Sequence, residues 1–345
     1  MIREKTNVDI SFCLPVYNVK NYIEECIESI YEQGIEYFEI ICVDDSSTDG
    51  SQEELERLAN IHDEMIVIHN DSNKGVSYSR NIAAKAARGG YIWFVDPDDK
   101  LIPGAAKMYL DVAYETKADA VFGKYICAKE SFEGLQIYKG TDKYQVVDFT
   151  NTDSFYSTDQ KGNICVAIWV GIFNKSFLSD NRIQFREGLN YLEDVLFYVE
   201  FGIRAKRVVS IDHYGYCYRI RKASIAHDYN HYFRQVEASK TVLLILKQLN
   251  SDHSKYSHSI LVNMTRLEMS NEIVLVRMLD HAYIRDALNT FKDGGFYPHR
   301  MDLHANMVTV RGKYKILYRA LRIEPVFWLI HYTYILFRKA GLRLK

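Results

Sequence analysis

The sequence predicts an α/β fold built on a mostly parallel sheet, followed by an all-α region at the C-terminus. Short apolar runs rich in β-branched and aromatic residues alternate with runs of helical period over the first hundred residues. Connections of a few residues join them, which is typical of right-handed βαβ units. From about Tyr229 onward the apolar pattern is helical. We therefore expect an α/β domain over residues 1–225 and a helical region with a basic, amphipathic tail over residues 226–345.

The first hundred residues contain four predicted strands separated by three helices. The first helix shows the pattern clearly, because Ile23, Ile27 and Ile30 fall on one face and Gly34 ends it. The same two periods identify the other elements. The predicted strands are Val8–Pro15, Tyr37–Val43, Met65–His69 and the run that begins at Tyr91, and the helices are Asn21–Gln33, Ser51–Ile61 and Val76–Ala87.

The middle of the chain mixes helices and strands. Its apolar runs have less regular spacing than those of the first hundred residues, and they are separated by a polar, Tyr-rich segment. Helices are predicted over Pro103–Thr116 and from Glu193 to Phe201, and strands over Ala118–Ala128 and Val208–Tyr218. Val166–Asn174 is a further apolar run.

Charge and cysteine content argue against several classes of protein. The net charge of −2 indicates no nucleic-acid partner. The six cysteines are scattered without a Cys-x-x-Cys pair, which favours a reducing cytoplasm over a disulfide scaffold.

The first residues lack the apolar run of a signal peptide, and no apolar run reaches the ~18 residues needed to span a bilayer. We expect a cytoplasmic protein.

Three carboxylates follow the strand that begins at Tyr91. Asp96, Asp98 and Asp99 lie within four residues, around a proline. Carboxylates held this close repel one another unless a cation sits among them. Mg²⁺ and Mn²⁺ prefer such oxygen ligands and usually also bind substrate phosphates. The alternative is a surface turn, since Asp and Pro are ordinary turn residues.

Polar clusters also follow the other predicted strands. Because ligands bind at the carboxyl ends of the strands in parallel sheets, these clusters should converge on one edge. That convergence favours a binding site over unrelated surface turns. The clusters are Tyr17-Asn18, Asp44–Asp49, Asn70–Gly75 and Asp96–Asp99.

Five motifs together resemble family 2 glycosyltransferases of the bacterial polysaccharide type. They occur in the family's order, at compatible spacing, between Val8 and Ser224. The resemblance implies a GT-A fold, a nucleotide-sugar donor, a divalent metal and inversion at the anomeric carbon. It also implies a donor half over residues 1–100 and an acceptor half over residues 101–225. The motifs are Pro15-Val16-Tyr17-Asn18, Val43-Asp44-Asp45-Ser46-Ser47-Thr48-Asp49-Gly50, Asn73-Lys74-Gly75-Val76-Ser77-Tyr78-Ser79-Arg80-Asn81, Asp96-Pro97-Asp98-Asp99 and Glu193-Asp194.

The resemblance assigns donor-binding roles to the first three motifs. Asp45 would accept the uracil N3–H, and Ser47 and Asp49 would lie near the base and the ribose. The alternative for Ser47 or Asp49 is to cap the next helix. Gly75 lets the backbone approach the nucleotide. Arg80 would bond the uracil carbonyl or neutralise a phosphate, or it forms a surface salt bridge. Pro15, Tyr17 and Asn18 complete the donor-binding set.

The remaining motifs would carry the metal and the catalytic base. Asp96 would meet the ribose and the metal, Asp98 would ligate the metal that bridges the diphosphate, and Asp99 would assist. In similar enzymes the Asp of the Glu-Asp pair takes the proton of the acceptor hydroxyl, which assigns the base to Asp194 with Glu193 as the fallback. The alternative is an acid pair at a helix N-terminus.

Arg219 follows the strand Val208–Tyr218 and would lie near the diphosphate. Similar proteins carry an aromatic-Arg segment at this place. The alternative reading is a solvated strand end.

Two other functions remain open. A nucleotidyltransferase would also use a parallel sheet, Mg²⁺ and paired acids, although the chain lacks a Gly-rich basic loop after the first strand. A catalytically silent nucleotide- or carbohydrate-binding scaffold is the other. A dinucleotide oxidoreductase is disfavoured because Gly-x-Gly-x-x-Gly is absent.

The C-terminal tail combines an apolar segment with basic flanks. Val326–Phe337 is mostly apolar and aromatic, and Arg and Lys residues lie on both sides of it. Such a helix can lie in the headgroup plane of an anionic membrane, on the inner face of the cell membrane, where a lipid-linked glycan acceptor would be found. The alternative is a terminal helix packed on the domain or on a second subunit of a homo-oligomer.

Overall fold

We describe the protein from a computed structural model of the chain. The described residues are 8–134, 140–148, 167–189, 191–221, 230–252, 275, 281–293, 321 and 324–339. Residue contacts divide the chain into two units, Met1–Ser224 and Ile225–Lys345. The following paragraphs take each unit by itself.

The first unit contains a nine-stranded sheet whose first four strands are parallel. Their order is β3-β2-β1-β4, and Ile10 of β1 lies opposite both Phe38 of β2 and Tyr91 of β4. Helices connect consecutive strands, so the predicted α/β fold with a mostly parallel sheet is confirmed. The elements are β1 Ile10–Val16, α1 Lys20–Tyr31, β2 Phe38–Asp44, α2 Ser51–Ala59, β3 Met65–His69, α3 Val76–Ala86 and β4 Tyr91–Phe94.

The second half of the sheet is mixed. Strand β8 runs antiparallel between β4 and β6, and the long strand β9 pairs with β6 in parallel and with β5 and β7 in antiparallel orientation. The predicted run Val166–Asn174 is, in its described part, a 3₁₀ turn at Ile168–Val170 followed by β8. The elements are β5 Lys100–Leu101, α4 Ala105–Thr116, β6 Ala120–Lys129, β7 Gly140–Asp148, β8 Gly171–Asn174, α5 Lys175–Asp180, α6 Glu193–Gly202 and β9 Arg207–Ile220.

Hydrophobic clusters cover both faces of the sheet. In β1 the alternation of side chains sends Phe12 and Leu14 to the cluster that includes α1, α2 and α4, and Cys13 to the cluster that includes α3, α5 and α6. In β4, Trp93 joins the first cluster and Phe94 the second. Burial on both faces explains why these strands read as continuous apolar runs. It also holds the ends of β1, β2 and β4 in place.

The second unit is helical wherever the structure describes it. Its helices are α7 Asn230–Asp252, α8 His281–Asp293 and α9 Glu324–Lys339. The Tyr283 hydroxyl of α8 donates to Glu237 of α7 at 2.6 Å. The ring of His281 lies 4.9 Å from that of His331 on α9. None of the described helices has the length and apolar character to cross a membrane.

Adjacent glycines before β4 provide a test of how closely β4 approaches β1. A Cβ atom on Gly89 would lie 2.5 Å from the Ser11 nitrogen and 2.6 Å from the Ile10 carbonyl carbon, whereas one on Gly90 would lie 3.6 Å from the Asp9 oxygen. We expect Gly89→Ala to lower the free energy of unfolding by about 1–3 kcal/mol, because backbone must move. The control Gly90→Ala should change it by less than ~0.5 kcal/mol. Urea unfolding measures both, and equal effects would contradict the packing described for this edge.

Candidate active site

The loops that follow the parallel strands meet at one edge of the sheet. The Asp45 amide donates to the Val16 carbonyl at 2.8 Å, which joins the end of β2 to the end of β1. The Asn70 amide donates to the Asp44 carbonyl at 2.9 Å, which joins the end of β3 to the end of β2. These contacts bring the first three predicted polar clusters together.

Asp45 organises the loop that leads into α3. Its side chain is buried, and its Oδ1 accepts hydrogen bonds from the Asn70 amide group at 2.7 Å and from the Lys74 amide at 2.8 Å. Its Oδ2 accepts from the Gly75 amide at 2.8 Å. Gly75 has φ +90°, a backbone conformation that favours glycine. The carboxylate therefore stabilises the 70–75 loop in a shape that only glycine completes easily.

The first motif runs from the buried end of β1 into an exposed turn. Pro15 lies inside β1, buried and opposite Val43, so it shapes the strand end rather than the surface. Tyr17 is 48% exposed. Asn18 adopts φ +54° and interlocks with the second motif, since its amide donates to Ser47 Oγ at 3.1 Å and its Oδ1 accepts from the Thr48 amide at 2.8 Å.

Asp49 joins the starts of two helices. Its Oδ2 accepts from the Lys20 amide at 3.1 Å, and its Oδ1 accepts from the Ser51 amide at 3.0 Å and from Ser51 Oγ at 2.6 Å. Partial burial acts to raise the pKa of Asp49, but the hydrogen bonds from Ser51 and Lys20 outweigh it and lower that pKa. The helix-capping alternative therefore describes the geometry of Asp49.

Arg80 bridges two acids that are far apart in the sequence. It is 5% exposed, and its two terminal nitrogens lie 2.8 Å from Asp96 Oδ1 and 2.8 Å from Glu193 Oε1. The guanidinium carbon lies 5.3 Å from the centre of the Phe185 ring. Burial acts to lower the pKa of Arg80, but the charges of Asp96 and Glu193 outweigh it and raise that pKa. The residue is a buried bridge and not a surface salt bridge.

Asp99 lies inside the protein. Its Oδ2 accepts from the Tyr216 hydroxyl at 2.8 Å, its Oδ1 accepts from the Arg219 amide at 2.7 Å, and its side chain is 1% exposed. Burial, followed by the charges of Asp98 and Asp96, raises the pKa of Asp99 to about 9. Both oxygens of Asp99 already accept hydrogen bonds inside the protein, which leaves them poorly placed to bind a metal. The geometry therefore favours Asp96 and Asp98 over Asp99 as metal ligands.

Asp96 and Asp98 are the two carboxylates that fit a cation. Both side chains keep part of their surface exposed, and Asp98 Oδ2 lies 2.8 Å from the Arg221 guanidinium. Burial, and then the charge of Asp96, raises the pKa of Asp98. Added positive charge would relieve this repulsion. Among the described residues no three His, Cys, Asp or Glu side chains form a metal-binding group, so water and substrate oxygens would complete the shell of Mg²⁺ or Mn²⁺.

Arg219 supports the turn that carries these acids. Its guanidinium donates to the Asp98 carbonyl at 2.7 Å and to the Glu130 carbonyl at 2.6 Å, and it pairs with Glu25. The Phe132 ring lies 4.1 Å from its guanidinium carbon. Arg219 is 5% exposed, so the solvated strand-end alternative is wrong. The geometry makes it a positioning residue under the turn, while Arg221 is the arginine beside the Asp98 carboxylate.

The Glu193-Asp194 pair begins α6. Leu192 precedes it with φ +61°, and Asp194 Oδ1 accepts from the Val195 amide at 2.7 Å. Burial, followed by the charge of Glu193, raises the pKa of Asp194 to about 6, although Arg80 acts in the opposite direction. Glu193 is the partner of Arg80, and Asp194 is thus the acid of this pair whose affinity for a proton is increased.

Comparison with known proteins identifies the family of the region that contains most of these motifs. Residues 11–171 match the family model described as Glycosyl transferase family 2. This region is a family 2 glycosyltransferase domain. The resemblance that the motifs indicated is therefore confirmed.

Curated relatives of the chain come from bacteria. The poly(ribitol-phosphate) beta-glucosyltransferase of Bacillus spizizenii is 32% identical over 219 residues, which cover 62% of this chain and 32% of that protein. The putative glycosyltransferase EpsH of Bacillus subtilis is 29% identical, covering 64% of this chain and 63% of that protein. The chain thus spans from about a third to just under two thirds of these two relatives.

Solved structures confirm the GT-A fold of the family 2 domain. The crystal structure of S. aureus TarS 1–349 in complex with UDP-GlcNAc has a TM-score of 0.65 and 21% sequence identity, covering 98% of this chain and 93% of that one. A mannosyltransferase from Pyrobaculum calidifontis in complex with GDP-Man and Mn²⁺ has a TM-score of 0.54 and 16% identity, covering 96% of this chain and 88% of that one.

Tyr216 is the site residue that sequence reasoning missed in this glycosyltransferase domain. Its hydroxyl accepts from the Asp96 amide at 3.1 Å and donates to Asp99, so it joins both ends of the acidic turn. Its ring stacks on Trp169 at 4.5 Å. The alternating aromatic residues of β9 were the available signal, but such alternation also describes an ordinary half-buried strand.

The geometry of Asp49 predicts a role in stability. Asp49→Ala removes the acceptor for the first amides of α1 and α2, and we expect the free energy of unfolding to fall by about 0.5–2 kcal/mol. Affinity for UDP should stay within about twofold. Asp111→Ala on α4 is the matched control, because the exposed pair of Asp111 with Lys107 should contribute less than ~1 kcal/mol. A loss of UDP affinity without a loss of stability would show that Asp49 binds the donor and would contradict the structural role.

Proposed function

We propose that the protein is an inverting glycosyltransferase that moves a sugar from a UDP-sugar to a glycan acceptor in the synthesis of a bacterial surface polysaccharide. The observation that carries this proposal is the Arg80 bridge between Asp96 and Glu193. It holds the start of α6, and with it Asp194, against the acidic turn after β4. A carboxylate base beside a diphosphate-binding turn is what a single displacement requires.

The donor would bind over the loops that follow β1, β2 and β3. Asp45 and Gly75 shape the loop on which the base and ribose would rest, with Tyr17, Asn18 and Ser47 beside it. The TarS complexes with UDP and UDP-GlcNAc support a uridine nucleotide. Arg80 would not bind the donor directly, because both of its terminal nitrogens already bind acids. It would instead orient Asp96.

Asp96 and Asp98 would hold Mn²⁺ or Mg²⁺. The Mn²⁺ complex of the structurally similar mannosyltransferase supports this choice of cation. When bound, the metal would supply Lewis-acid stabilisation of the charge that develops on the leaving diphosphate. Arg221 lies beside Asp98 and would add positive charge at the same place.

Asp194 would take the proton of the acceptor hydroxyl. With a pKa of about 6 it is largely ionised at neutral pH, yet it is a stronger base than an ordinary aspartate. Glu193 serves a different purpose, because its carboxylate neutralises Arg80.

The acceptor would be a chain of a surface polymer, and we propose that it is lipid-linked. The names of two relatives support the surface-polymer part of this proposal. They are the poly(ribitol-phosphate) beta-glucosyltransferase and the teichoic acid poly(glycerol phosphate) polymerase of Staphylococcus epidermidis. Release of UDP from a UDP-sugar in the presence of acceptor separates this function from the two rivals. A nucleotidyltransferase would release pyrophosphate from a nucleoside triphosphate instead, and a silent scaffold would release nothing.

Asp194→Asn should separate catalysis from binding. We expect UDP-sugar affinity to be retained and kcat to fall by roughly 10²–10⁴-fold, the usual contribution of a general base. In the wild-type protein kcat/KM should decline as pH falls through about 6, because protonation removes the base. Turnover of a UDP-sugar measures both quantities. Normal turnover in Asp194→Asn with loss in Glu193→Gln would move the role to Glu193.

Asp98→Ala should remove the metal dependence of donor binding. The wild-type protein is expected to bind UDP more tightly with Mn²⁺ than without it, and the variant should lose that difference because one of two ligands is gone. Calorimetry with and without Mn²⁺ measures it. The neighbouring variant Asp99→Asn is the control and should keep the Mn²⁺ effect. Loss of the effect in Asp99→Asn alone would show that the two acids have been assigned in the wrong order.

A further inference from the structure

Helix α9 carries a stripe of exposed apolar side chains. Leu329 is 66% exposed, Tyr332 is 47% exposed and Leu336 is 68% exposed. Their spacing of three and four residues places them on one face of the helix. Phe327 and His331, on the opposite side, are buried. Among the described residues, α9 therefore buries one face and leaves these three apolar side chains exposed on the other.

This stripe differs from ordinary surface exposure. Single exposed apolar residues are common on soluble proteins, and Leu244 of α7, 56% exposed, is one of them. Contiguous exposed apolar side chains instead mark an interaction surface. The spacing along α9 makes the three side chains one surface about two turns long.

The sequence around the stripe is strongly basic. Between residues 306 and 345 there are nine Lys or Arg residues and one acid, Glu324. Arg338 and Lys339 end α9, and helical spacing puts position 339 on the same face as Leu336. A segment whose sequence combines many basic residues with exposed apolar and aromatic ones suits a surface that is anionic outside and apolar inside. The nine basic positions are 311, 313, 315, 319, 322, 338, 339, 343 and 345.

We propose that this face of α9 binds the surface of an anionic lipid bilayer, with the helix lying in the plane of the headgroups. A helix of 16 residues is about 24 Å long, shorter than the ~30 Å hydrocarbon core. Insertion of one face removes the apolar side chains from water and keeps the basic residues among the headgroups. The proposal depends on α9 alone, so a negative result would not affect the proposed transfer reaction. Membrane binding would place the enzyme near lipid-linked acceptors.

Sedimentation of the full-length protein with vesicles tests the proposal. The protein should sediment with vesicles of phosphatidylcholine and phosphatidylglycerol, much less with phosphatidylcholine alone, and less at high salt. The double variant Leu329→Ser/Leu336→Ser should bind the anionic vesicles about tenfold more weakly or worse, the order expected when buried leucines are lost. The variant Lys339→Gln should bind these vesicles about fivefold more weakly, because it removes one charge on the side of the stripe. Leu244→Ser is the matched control and should bind like the wild type.

Three outcomes would overturn the proposal. The first is a wild-type protein that stays in the supernatant at low salt. The second is a double leucine variant that binds the vesicles as well as Leu244→Ser does. The third is a wild-type protein that is a dimer by analytical ultracentrifugation and becomes a monomer in the double leucine variant, which would assign the face to self-association. Both leucines are exposed, so circular dichroism should confirm that every variant keeps its helices.

Discussion

A single buried guanidinium, that of Arg80, holds the two sides of the site together. It sits between Asp96, at the end of β4, and Glu193, at the start of α6. A buried charge is tolerated only when it is paired and hydrogen-bonded, and removal of one partner would leave a costly uncompensated charge. The bridge therefore constrains how α6 approaches the sheet, and so where Asp194 lies. The rest of the site depends on this constraint.

A second layer of contacts supports the acidic turn from below. Tyr216 joins the Asp96 amide to the Asp99 carboxyl, and Arg219 joins Asp99 to the Asp98 carbonyl. Buried polar groups carry a high energetic cost unless every member of the network is satisfied. Here Tyr216 and Arg219, both on β9, bind the acidic turn, and Glu25 and the Glu130 carbonyl complete the partners of Arg219. Tyr216 and Arg219 thus hold the acidic turn in place without being ligands of the metal that the turn would bind.

The acids of this region have different roles because their surroundings differ. Asp49 accepts amides at two helix starts and has a lowered pKa, whereas burial raises the pKa of Asp99 to about 9 and that of Asp194 to about 6. The same functional group therefore caps helices at Asp49, supports the acidic turn from inside the protein at Asp99 and is a candidate base at Asp194. Burial, neighbouring charge and hydrogen bonding to the charged form together decide among these roles.

The sequence by itself determined the parallel sheet, the convergence of the strand-end loops and the family, because these depend on local periodicity and on short motifs. It also indicated the acidic turn and the Glu-Asp pair. Only the tertiary structure decided which acids keep part of their surface exposed and which are buried, since the deciding partners are distant in the chain. Arg80 and Glu193 are 113 residues apart, and Asp99 and Arg219 are 120 residues apart. Contacts over such separations depend on how β9 pairs within the sheet and how α6 packs against it, which no local pattern encodes. The same holds for α9, whose apolar composition was visible in the sequence but whose uncovered face was not.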